Sequence, residues 1–192
     1  MSSSLGFMGS GISGHLIPPP SFESIATVNV TSNTSTITFS SIPSTYKALQ
    51  LRMLWRSAST GFNQQFVLSL NGDTNVNNYT RHVLQGDGAS ASAFGNASGT
   101  LGGIRSANLA SSSDVANLFS PAIIDIQDYN SSSKNKTVRI FGGYDSNNAG
   151  GASIFLESGL YISTTAITSL SITDYNAAGS AAGSTFALYG IK

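Results

Sequence analysis

The sequence predicts an all-β fold, an antiparallel β-sandwich or jelly roll with an extended N-terminal arm. Three observations predict it. Apolar side chains recur at every second residue in several separate segments, the period of a half-buried strand. Clusters of Gly, Asn and Asp punctuate those segments, as at Asn71-Gly72-Asp73, Gly86-Asp87-Gly88 and Asp145-Ser146-Asn147-Asn148. Helical periodicity is almost absent. Roughly ten short strands at intervals of about 8–15 residues result, in one domain of ordinary size.

Residues 1–21 read as the arm and residues 22–192 as the sandwich domain. Within the arm, Gly9-Ser10-Gly11-Ile12-Ser13-Gly14 has the G-x-G-x-x-G spacing that cradles a pyrophosphate. That chemistry needs a buried strand before the glycines and a helix after them. Here a short polar run precedes them, and Pro18-Pro19-Pro20 favours a polyproline-like backbone soon afterwards. The motif reads as an accident of Gly/Ser-rich composition, and no cofactor is expected. The arm's apolar residues Leu5, Phe7, Met8, Leu16 and Ile17 are instead the candidate docking residues. A Gly/Ser tether stiffened by three prolines gains order and buries such knobs when it meets a neighbouring surface.

Along the domain, Ser35–Phe39 alternates around Ile37, and Lys47–Arg56 puts Leu49, Leu51, Met53 and Trp55 on one face. Gln65–Leu70 does the same with Phe66, Leu68 and Leu70, and Asn71-Gly72-Asp73 behind it predicts a hairpin turn. Tyr79–Leu84 is a strand carrying His82. Residues 86–114, poor in large apolar side chains, predict an extended loop or weak strands. A short helix is expected over Ser113–Phe119, capped by Ser113 or Asp114 and closed by Pro121. Ile124–Tyr129, Thr137–Ile140 and Ala166–Ile172 are further strands, Asp128 suits a turn, and Glu157 before Ser158-Gly159 suits a bend. Phe186 and Leu188 pin the C-terminus into a sheet.

Composition narrows the function classes. Charged residues make up 9% of the chain, nine of each sign, against about 25% in ordinary globular proteins. Without a Lys/Arg cluster, nucleic-acid binding is not expected. There is no cysteine and hence no disulfide framework or thiolate metal site. No apolar run is long enough to span a membrane as a helix, and no secretory signal is expected. A hydrolase needs a Ser-His-Asp set or facing carboxylates. His15 lies in the arm, His82 on a pleat, and Asp125 and Asp128 are poorly spaced to share a strand face, so no catalytic residue is assigned and the chain is read as a non-enzyme. Asp73-Thr74-Asn75-Val76-Asn77 begins like a calcium loop, but Asn78 and Leu84 stand where such a loop needs Gly and Glu, so no metal site is assigned. A nearly neutral Ser/Thr/Asn/Gly surface suits a protein that works packed in an assembly.

Phe22-Glu23-Ser24-Ile25-Ala26-Thr27-Val28, Ser41–Arg52, Leu70-Asn71-Gly72-Asp73, Tyr79 with His82, Asp125–Tyr129 running into Lys134-Asn135-Lys136-Thr137, Ser158-Gly159-Leu160-Tyr161, Ala166–Leu170 and Gly183–Ile191 follow in that order. The series resembles a group of structural proteins of tailed bacteriophages, especially those of marine and cyanobacterial hosts, over about residues 22–192. The resemblance implies a virion β-sandwich. A capsid decoration, or cement, protein is the leading expectation: assembled in the host cytoplasm, bound to the outer capsid surface, partnered by the major capsid protein and by itself as a homotrimer. Here the arm would lie across a neighbouring subunit or the shell. A receptor- or glycan-binding tip on a tail fibre or spike is the alternative, with residues 86–114 as its binding surface.

Overall fold

The computed structural model describes residues 21–97, 101–147 and 151–192. The arm residues Leu5, Phe7, Met8, Leu16 and Ile17, the glycine motif and His15 lie outside the described residues. Two antiparallel sheets pack face to face as a β-sandwich. The larger has eight strands in the order β1 (Phe22–Asn29), β12 (Thr185–Ile191), β3 (Ala48–Trp55), β8 (Ser120–Gln127), β9 (Lys136–Asp145), β10 (Ala152–Tyr161), β5 (Tyr79–Gly86) and β6 (Ala91–Ala97). The smaller has four: β2 (Thr36–Phe39), β11 (Leu170–Asp174), β4 (Phe66–Leu70) and β7 (Ile104–Arg105).

The period-two pattern explains the packing. Leu49, Leu51, Met53 and Trp55 of β3, Ile124 and Ile126 of β8, and Val138 and Ile140 of β9 all point to the same side. They meet Ile37, Phe39, Phe66, Leu68, Leu70 and Ile172 of the small sheet in one core. β4 buries Val67 as well, on the side away from this core period. The C-terminal strand lies between β1 and β3, burying Phe186 and Leu188. Beyond it, the Lys192 ammonium pairs with Glu23 of β1 at 2.5 Å.

Tyr129 ties the corner at Pro43 to the sheet. Its hydroxyl donates to the Pro43 carbonyl at 2.6 Å and accepts from the Tyr46 N–H at 3.1 Å. Gly190 lies against the Tyr46 ring, where a Cβ would sit 2.3 Å from ring carbon.

Three expectations differ from the structure. Ser113–Phe119 is not a helix but two successive turns, closed by Asp114 N–H to the Ser111 carbonyl and Leu118 N–H to the Val115 carbonyl, with Asn117 at φ +64° inside the second. The Asp114 carboxylate caps Ser111 rather than a helix. Asn71-Gly72 does make a tight turn with both φ positive, +53° and +65°, but it joins no hairpin. β4 and β5 belong to different sheets, and a 3-10 turn over Val76–Asn78 carries the chain across. Glu157 is not at a bend: it is fully buried mid-strand in β10, opposite Val83 and Ile140. The described parts of residues 86–114 take the weak-strand form of the two expected there. They supply β6 and β7, the edge of each sheet, then bury Ala107, Leu109 and Ala110 against the core.

Candidate functional site: an apolar band on the outer sheet face

One face of the eight-stranded sheet is covered by the smaller sheet. The opposite face carries a row of large apolar side chains in register. Ile123 on β8 stands opposite Phe141 on β9, Phe141 opposite Leu156 on β10, and Leu156 opposite Leu84 on β5. In the next row Ile154 on β10 lies opposite Gly143 and Gly86, and Leu54 on β3 opposite Pro121. Directly opposed positions across antiparallel strands are close neighbours, so these side chains form one continuous band. Their exposure is far above that of core residues: Ile154 60%, Leu84 57%, Phe141 51%, Leu156 49%, Leu54 48% and Ile123 40%.

Gly143 makes a dent in the band. A Cβ there would fall 2.4 Å from the Ser153 carbonyl oxygen, so the backbones approach too closely for any side chain. Pro121, Ile123, Phe141 and Ile154 wall this dent into a shallow groove of about 390 Å³.

A polar row borders the band. Gln50, Asp125, Arg139, Ser158 and His82 follow one another across β3, β8, β9, β10 and β5. The Arg139 guanidinium reaches Asp125 at 2.9 Å, and the Gln50 amide donates to the other carboxylate oxygen at 2.7 Å. Arg52 donates to Gln50 at 2.7 Å while lying 5.1 Å over the Phe22 ring and 5.2 Å over the Tyr189 ring. Asp125 is thus held by two donors. His82 stands between Ser158 and Gly95, with no carboxylate directly across from it. This row sets the edge of a surface and does not assemble a nucleophile, a base and an orienting acid.

The other polar groups are structural. The Asp73 carboxylate accepts from the Asn75 N–H at 2.8 Å, the Asn78 amide at 2.7 Å and the Tyr161 hydroxyl at 3.1 Å, and these bonds hold its pKa below the usual carboxylate value. The would-be calcium loop is an Asx turn. Among the described residues no group of three or more His, Asp or Glu side chains converges as metal ligands do. Asp128 adopts φ +54° and receives Lys134 at 3.0 Å, so the β8–β9 connection is the charged turn its sequence suggests. Lys136 differs from its neighbour in being buried, donating to the Ser131 and Lys134 carbonyls at 2.7 Å each. Inside the sandwich, Arg81 lies 3.9 Å from Glu157 and donates to the Ser106 carbonyl at 2.9 Å. Burial pushes the Glu157 carboxyl up to about 8 despite the nearby guanidinium. On the small sheet, Asp174 accepts from Ser57 and from the Asn176 N–H, and Trp55 Nε1 donates to Ser180 at 2.9 Å.

No family profile, no curated protein and no solved structure matches the chain.

The band was not singled out from the sequence, though a signal exists. Ile123-Ile124, Ile140-Phe141 and Ile154-Phe155-Leu156 place large apolar residues at both parities of a strand. Such a strand is apolar on both faces, and in a two-layer fold only one face is buried within the chain.

Proposed function

We propose that the chain is a structural protein of a tailed-phage virion, a decoration protein that binds the outer surface of the head and stabilises it. Its partners in this reading are the major capsid protein and further copies of itself. The observation that carries the reading is the apolar band on the outer face of the large sheet. A patch of this kind on a chain with only 9% charged residues suits permanent contact with another protein. The ordered series of short motifs that resembles phage structural proteins supplies the setting. The action is by mass action: a protein that binds only the assembled shell stabilises that shell in proportion to its occupancy.

The test is localisation. Antibody to this chain, applied to intact virions and imaged, should label the head over its whole surface. Label confined to the tail would replace the decoration role with that of an adhesin component, and virions without label would remove the reading.

A further inference from the structure

We infer that the apolar band is a self-association surface, occupied by the same face of a second copy of this chain. This deepens the self-assembly part of the reading above and does not depend on the virion setting. Three features point to a second copy. First, the band runs in register across four neighbouring strands, β8, β9, β10 and β5, a breadth that suits sheet-on-sheet packing at about 10 Å.

Second, the size fits. Half-exposed Leu, Ile and Phe side chains each leave on the order of 80–100 Å² in water, so the six together present roughly 500 Å² of apolar surface. Adding the bordering polar row brings the face near the roughly 800 Å² per partner of a standard interface. Third, the border carries both signs. Asp125 and Arg139 lie side by side, so the face does not repel its own image when a two-fold axis lays it on itself. A face that meets its own image closes as a pair, in contrast to the homotrimer expected of a decoration protein. The two half-filled grooves over Gly143 would then each receive a side chain such as Ile154 from the other copy.

Sedimentation equilibrium of the full chain, from about 1 to 100 µM, tests this directly. The expected result is a mass of two copies, with association weakened about 30-fold or more, toward single copies, by Phe141→Asp or Leu156→Lys. Trp55 fluorescence and far-UV circular dichroism establish that each variant is folded. If a charged variant does not fold, Leu84→Ser with Ile154→Ser, which removes apolar area without adding charge, should weaken pairing in the same direction. Deleting residues 1–20 should leave pairing intact.

Three results would overturn the inference. They are a single-copy mass at every concentration, folded band variants that associate like the parent, and loss of association on arm deletion alone, which would make the arm the occupant. Pairing in solution with no label on virions would keep this inference and remove the virion reading. Label without pairing would do the reverse.

Discussion

Replacing Tyr129 by Phe removes one oxygen and should cost more than its size suggests. That hydroxyl is shared between the Pro43 carbonyl at 2.6 Å and the Tyr46 N–H at 3.1 Å, both on the corner that turns the chain into β3. The ring is fully buried, so water does not simply replace the oxygen. A backbone donor and a backbone acceptor are then left unpaired together. At about 1–1.5 kcal/mol for each buried group, the loss comes to roughly 2–3 kcal/mol. For a domain of this length that lowers the melting temperature by roughly 4–12 °C. The chain offers a clean reporter, because its one tryptophan, Trp55, is fully buried with its indole N–H on Ser180. Urea unfolding followed by Trp55 fluorescence measures the change. Asn130 grips the same corner through the Ser44 and Tyr46 carbonyls, at 2.9 and 3.1 Å, from a more exposed position. Asn130→Ala should therefore cost less than Tyr129→Phe. A loss below about 0.5 kcal/mol for Tyr129→Phe would refute the reasoning, placing the corner's stability in ring packing alone.

Other perturbations test other parts of the fold. Gly190→Ala drives a methyl into the Tyr46 ring and should destabilise by about 1–3 kcal/mol through overpacking, measured by the same unfolding assay. Asn71 bonds the Ala166 carbonyl and the Thr168 and Ser169 N–H groups from a positive-φ backbone. Asn71→Gly keeps that backbone and loses only the bonds, whereas Asn71→Ala also pays about 1 kcal/mol of left-handed strain, so the two midpoints should fall in that order. The Glu157 carboxyl titrates near 8 in the folded chain against 4.5 as an ordinary carboxyl. The folded state therefore holds a proton that the unfolded state releases, and stability falls as pH rises from about 4.5 to about 8, by at most about 1.4 kcal/mol per pH unit. Glu157→Gln should flatten that slope, and an unchanged slope would assign it elsewhere. Deletion of residues 1–20 should leave the unfolding curve intact and abolish binding to phage heads, and retained binding would exclude the arm as the docking element.

The sandwich was legible because alternation is a direct image of the pleat. Strands read as half-buried, from Leu49–Trp55 to Phe186–Leu188, have their apolar parity in the core, although the strand expected over Ala166–Ile172 begins only at Leu170. Pairing between sheets was not legible. Asn71-Gly72 specifies a turn, but whether the chain returns along β4 or crosses to the other layer depends on which partners β5 finds: β6, its own hairpin mate, and β10, far along the chain. Glu157 was misplaced for a related reason. A carboxylate before Ser-Gly suggests a bend by local rules, and only the tertiary arrangement, with Arg81 on the neighbouring strand, makes a buried site for it. Gly159 follows the same logic. It marks no turn, but clears room for Ile104 of the small sheet, whose nearest carbon would lie 2.6 Å from a Cβ. The candidate surface was half legible. Low charge pointed to an assembly, and the doubled apolar parity of β8, β9 and β10 contained its location, but the rows align only through the register of four strands.

If the outer face of the large sheet is covered by protein in the working state, its band must be shielded from water-borne reagents. Because the chain has no cysteine, single thiols can be placed at will. Ile154→Cys would lie in the band and Ser132→Cys at an exposed position of the β8–β9 turn, and their rates of maleimide reaction would be compared in associated and diluted protein. The thiol at 154 should be protected in the associated form and react freely on dilution, while the thiol at 132 reacts in both. Equal reactivity of the thiol at 154 in both forms would leave the band open to water and contradict the account.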